Sequence, residues 1–79
     1  MTFKITNIYK MTRMLILEGV VSSGFVKIGD TLYNEQNNPL PVSGIVLGGN
    51  RERDKISLSF KLTNEIKGYK VSIGDTLVS

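Results

Sequence analysis

The 79-residue chain contains no cysteine and no histidine. The first absence rules out disulfides and thiolate metal sites. The two together remove the commonest nucleophile, general base and transition-metal ligands. Long apolar runs are missing as well. Nothing approaches the roughly 20 consecutive apolar residues that a membrane helix needs. The opening stretch, Met1 to Lys10, has neither the apolar core nor the small-residue cleavage site of a secretory leader. The expectation is a soluble cytoplasmic protein with no membrane partner. Helix signals are also scarce: no long apolar stripe recurs at i, i+3, i+4, i+7, and β-branched residues and glycines are frequent.

What is present points to one small β-domain spanning 1–79. A chain of this length buries only about 60–65% of its unfolded surface, so its core is modest. Hydrophobic residues make up 41% and charged residues 22%, which is ordinary globular composition. The net charge of +3 suits an anionic partner and suits plain solubility equally well. Seven carboxylates are present, and only Glu52 and Asp54 lie close in sequence. They alternate with Arg51, Arg53 and Lys55, which would neutralise them rather than raise a pKa for acid catalysis. The expectation is a protein that is not an enzyme, with no cofactor and no metal.

Extended segments are legible along the chain. Phe3 and Ile5 begin an alternation in a first strand over 2–9. Residues 14–22 form a nearly continuous apolar run, expected of a strand covered on both faces. Ser23-Gly24 turns the chain, and 31–34 is a short strand. A polar turn over 35–39 follows, then a strand over 40–47 whose Pro41 and Gly44 predict an edge or a bulge. The clearest alternation is 55–62: Ile56, Leu58, Phe60 and Leu62 face inward, and Lys55, Ser57, Ser59 and Lys61 face water. Its expected partner is 76–78. The segment 63–69 reads as an irregular connection, with Ile66 tucked under a barrel. Six or seven short strands separated by turns predict an all-β fold, a small closed antiparallel β-barrel, since closure removes exposed edges.

One phrase occurs twice. Val26-Lys27-Ile28-Gly29-Asp30-Thr31-Leu32 returns as Val71-Ser72-Ile73-Gly74-Asp75-Thr76-Leu77. The flanking sequences do not match, so the pair reads as one turn solution used twice. Gly24 and Gly29 are expected at positive φ. Asp30 and Asp75 are expected to bond backbone N–H groups within their turns.

Taken in order, Gly19-Val20-Val21-Ser22-Ser23-Gly24-Phe25-Val26-Lys27-Ile28-Gly29-Asp30, Val42-Ser43-Gly44-Ile45, Ile56-Ser57-Leu58 and Ile73-Gly74-Asp75-Thr76-Leu77, with Phe3 and Ile5 ahead of them, resemble the second domain of translational GTPases, exemplified by elongation factor Tu. The resemblance runs along nearly the whole chain and implies that family's β-barrel. It also implies work with RNA or ribosome-associated components. Two departures qualify it. Val20 stands where the family has arginine, and the family's Gly-Arg-Gly-Thr loop corresponds to Thr12-Arg13-Met14-Leu15, where Arg13 alone matches. Thr12 and Met14 would crowd a pocket for the end of a tRNA. The chain holds no Gly-x-x-x-x-Gly-Lys-Ser/Thr loop, so no nucleotide hydrolysis is expected.

Two basic features could bind RNA: Lys10 and Arg13 beside Tyr9, and Arg51, Arg53 and Lys55 after a glycine-rich break. If they lie together at one end of the barrel, they offer cations for phosphate and an aromatic for stacking. Tyr9 could instead belong to strand packing, and the arginine-rich stretch could be a self-paired solvated loop. The alternative is a protein-interaction or self-associating module using edge strand 40–47 and an apolar patch of Met11, Met14 and Leu15. Met11 and Met14 could equally line the end of the core.

Overall fold

A computed structural model describes residues 1–47, 55–62 and 71–79. The described chain is all-β, with strands β1 (Thr2–Lys10), β2 (Met14–Ser23), β3 (Thr31–Tyr33), β4 (Pro39–Pro41), β5 (Gly44–Leu47), β6 (Lys55–Lys61) and β7 (Thr76–Val78). They form one antiparallel sheet in the order β4-β3-β7-β1-β2-β6-β5. The sheet curls into a half-barrel around Phe3, Ile5, Leu17, Leu32, Leu40, Leu58, Phe60 and Leu77, all essentially closed to solvent. Burial alternates along β6 as its sequence predicts, with Ile56, Leu58 and Phe60 inside. Leu62 packs partly against the same core.

The closed barrel is not formed. β4 and β5 are the two edges, and the chain between them bridges the gap without a continuous ladder. Val42 turns toward the β3 side: its N–H donates to the Asp30 carbonyl (2.8 Å), and its carbonyl accepts from Gly29 N–H (3.0 Å). Ser43 turns the other way and donates its N–H to the Ser59 carbonyl of β6 (2.9 Å). By strand alternation Pro41 faces the same side as Ser43, where it has no N–H to give. Proline at 41 therefore ends the closing ladder after one rung. The expected single strand over 40–47 is two edge strands divided at this seam.

Two further expectations are corrected. β6 does not pair with 76–78; it lies between β2 and β5, while β7 pairs with β1 and β3. β2 is covered on one face only, with Leu15 and Leu17 inside while Met14 is exposed and Ile16 half-buried. Its outward apolar residues make the run look continuous. Ile66 and the rest of 63–69 lie outside the described residues.

Both Gly-Asp phrases fold alike. Gly29 and Gly74 have φ of 97° and 96°, as the third residue of a type II turn requires. Gly24 is also in the left-handed region, at 72°. Asp30 N–H donates to the Lys27 carbonyl (3.0 Å) and Asp75 N–H to the Ser72 carbonyl (3.0 Å). Each carboxylate accepts the first residue's N–H in return, at 3.0 Å for Lys27 and 2.8 Å for Ser72. Both aspartates are thus turn-formers.

The likeness extends beyond the turn. Gly29 and Asp30 clasp both backbone groups of Val42, and Gly74 and Asp75 clasp those of Ile5 in the same pattern (2.8 and 2.9 Å). Each turn then leads into a three-residue strand, β3 or β7. These strands meet at Tyr33 and Val78, which directly follow the two phrases at equivalent places. The half-sheet β4-β3-β7-β1 therefore has an approximate two-fold axis at this pair.

Candidate nucleic-acid interface

The site begins with an irregularity in β1. The β1–β2 register runs Phe3↔Val21, Lys4↔Val20, Ile5↔Gly19, then Asn7↔Glu18, so Thr6 is an extra residue in a β-bulge. Its hydroxyl donates to the Glu18 carbonyl at 3.1 Å. The bulge changes parity. Phe3 and Ile5 point inward before it, whereas Ile8 and Lys10 take the inward phase after it, opposite Leu17 and Leu15. Tyr9 therefore leaves the sheet on the outer face, opposite Ile16, and is 49% exposed. It does not belong to the core.

Lys10 emerges at the open end of the half-barrel, on the opposite face from Tyr9. The hairpin loop beyond is closed by Met11 N–H to the Met14 carbonyl (2.8 Å) and fastened to the end of β6 by Leu62 N–H to the Arg13 carbonyl (3.0 Å). This bond, with the Met14↔Lys61 register, places Lys61 beside the hairpin. Lys10, Arg13 and Lys61 are all exposed. Met11 and Met14 are 54% and 38% exposed on the same hairpin, so they do not line the core end. Leu15 is buried at 4% and cannot contribute to a surface patch.

Lys55 does not join this group. It pairs with Val20, six residues along β2 from Met14, about 20 Å away at strand rise. There its Nζ lies 3.2 Å from Glu18 Oε1, and Asn7 Nδ2 donates to the same oxygen at 3.1 Å. These two partners hold the Glu18 carboxyl below its ordinary range: the Asn7 hydrogen bond and then the Lys55 bond stabilise the anion more than partial burial opposes it. The basic cluster at the hairpin thus comprises Lys10, Arg13 and Lys61, and Lys55 belongs to a separate polar triad. Arg51 and Arg53 lie outside the described residues. Lys61 was legible only as a water-facing lysine; register alone brings it to the hairpin.

The other described carboxylates lie elsewhere. Asp30 and Asp75 close their turns, and Glu35 sits in the β3–β4 turn, across β7 from β1. No group of three or more potential metal ligands occurs among the described residues. No described helix is long and apolar enough to cross a membrane.

No family model, curated protein or solved structure matches the chain.

On the outer face, then, Tyr9, Ile16 and Met14 form an apolar strip with Lys61 beside it, while Lys10 emerges on the opposite face and Met11 and Arg13 lie in the exposed hairpin loop. Aromatic and thioether surfaces can stack on bases, and the cations can neutralise phosphates.

Proposed function

We propose that the protein is a non-catalytic binding module that takes single-stranded RNA, or an RNA element of the translation machinery, at the β1–β2 hairpin end. The observation that carries this reading is the gathering of Lys10, Arg13 and Lys61 at the hairpin end where Tyr9 is exposed, with the described carboxylates placed away from it. Five sequence elements in the order of the second domain of translational GTPases support the translation setting and a relationship to that domain. In this reading Tyr9 stacks on a base, the cations hold phosphates, and no residue performs chemistry. Fold likeness alone carries no activity, so the weight rests on the hairpin.

The test is an amide NMR titration with short oligouridylate at low and moderate salt. Shifts should centre on residues 9–14 and 61–62. Three phosphate contacts predict a log–log salt slope of about −2. Absence of any shift at low salt would end the RNA reading.

A second reading has one observation in its favour. Edge β4 is blunted by Pro39 and Pro41, but edge β5, Gly44-Ile45-Val46-Leu47, carries neither proline nor charge. A partner protein's strand could extend the sheet there. Such binding would persist in salt and would map to β5.

A further inference from the structure

The cross-strand register orders the outer face into rows two residues apart. Met14 faces Lys61, Ile16 faces Ser59, and Glu18 faces Ser57. Each step is about 6.8 Å along the strands, comparable to the spacing of successive phosphates in an extended nucleic-acid strand. Ser59 is half-buried in the middle row, with Ile16 and Tyr9 continuing that row across β2 and β1. Its hydroxyl makes no hydrogen bond among the described residues, although its carbonyl accepts from Ser43. Gly44 sits opposite on β5, so close that an added Cβ would strike the Ser59 hydroxyl oxygen. The row is therefore floored by a small side chain with an unused donor, walled by Tyr9 and Ile16, and led by Lys61.

The next row changes sign. Glu18 is fixed on the outer face by Asn7 Nδ2 at 3.1 Å and Lys55 Nζ at 3.2 Å. The carboxylate neutralises Lys55, the next outward cation along β6, so this row offers a phosphate no net positive charge, and Ser57 beside the carboxylate is poorly placed to receive an anion.

Resting on the RNA reading above, we infer that the outer face of β6 is a short phosphate track: Lys61 and then the Ser59 hydroxyl each receive a phosphate, and Glu18 terminates the track. The module then grips two to three nucleotides, with a base on Tyr9, instead of wrapping a long strand. Ser59 is a binding residue and Glu18 sets the length selected.

The experiment measures affinity by fluorescence anisotropy at low salt, using end-labelled oligouridylates of three and eight nucleotides. Wild type, Ser59→Ala and Glu18→Gln are compared, each checked as folded by its amide spectrum. Wild type should bind the eight-mer no tighter than the three-mer beyond the statistical gain from extra registers, about sixfold. Ser59→Ala should weaken both lengths about three- to tenfold. Glu18→Gln should tighten the eight-mer at least threefold more than the three-mer, because only the longer strand reaches past row Glu18–Ser57. If wild type binds neither oligomer, the RNA reading itself fails. If wild type binds but Ser59→Ala is silent, or Glu18→Gln acts equally on both lengths or on neither, RNA binding stands and the track is overturned.

Discussion

Replacing Gly29 and Gly74 by alanine asks whether the two Gly-Asp turns are energetically as well as geometrically equivalent. An alanine Cβ at either position would meet no atom within 4 Å. Packing therefore adds nothing, and the cost is that of holding an L-residue at φ of 97° or 96°. That strain is worth about 1–2 kcal/mol per residue. A 79-residue domain has a total stability of roughly 4–12 kcal/mol, so each variant should remain folded. Each should melt lower by about 4–16 °C at the usual 4–8 °C per kcal/mol for small domains. The two turns clasp different residues, Val42 and Ile5, so the double variant should cost the sum. Urea denaturation followed by circular dichroism gives all three free energies, and Gly29→Asn should be milder because asparagine tolerates this region. Single costs differing by more than about 1 kcal/mol, or a double variant no worse than one single, would refute equivalence and additivity.

Gly19→Ala should be costlier for a different reason: its Cβ would strike the Lys4 carbonyl and lie 2.7 Å from the Phe3 ring. Backbone cannot yield there, and a loss of about 3 kcal/mol or more is expected in the urea midpoint. Phe60→Ala empties a fully inaccessible site and should cost about 3–5 kcal/mol, read as lost dispersion in the amide spectrum or a sharply lower melting point. Glu18, with its carboxyl held low by Asn7 and Lys55, binds its proton more readily when unfolded. Its contribution is present above its ordinary value of 4.5 and disappears as pH falls through that value and the lower folded one. Melting points of wild type and Glu18→Gln should therefore differ most near neutrality and converge in acid; a constant gap would contradict this.

Local chemistry was legible where one residue decides it. Gly29-Asp30 and Gly74-Asp75 read as turns because glycine takes a positive φ without the strain other residues incur, and a short carboxylate reaches back to the first N–H. Lys55–Leu62 read as a strand because one face meets core and the other water. Which strand lies beside it was not legible, since alternation says nothing of neighbours, and β6 pairs with β2 and β5 instead of β7. Pro41 carried the signal for an edge, but the ladder it interrupts becomes visible only when Val42 and Ser43 face opposite sides. The bulge at Thr6 has neither glycine nor proline to announce it, yet it reverses the parity that governs Tyr9 and Lys10. Glu18 within an apolar run was the available sign of a polar partner, and Lys55 proved to be that partner, away from Arg13.

β7 lies inside the sheet, between β3 and β1, yet it is only three residues long and pairs with strands far away in sequence: Tyr33↔Val78 spans 45 residues and Thr2↔Val78 spans 76. Local pairing can assemble β1 with β2 and β3 with β4 before β7 arrives. Folding should therefore proceed as two preformed pieces joined late by a short inner strip, at the slow rates that non-local β-topologies show. A mild truncation such as Leu77→Val should then accelerate unfolding and leave the folding rate nearly untouched, while Leu17→Val, in the local hairpin, slows folding. The reverse pattern in stopped-flow kinetics would place β7 in the folding nucleus.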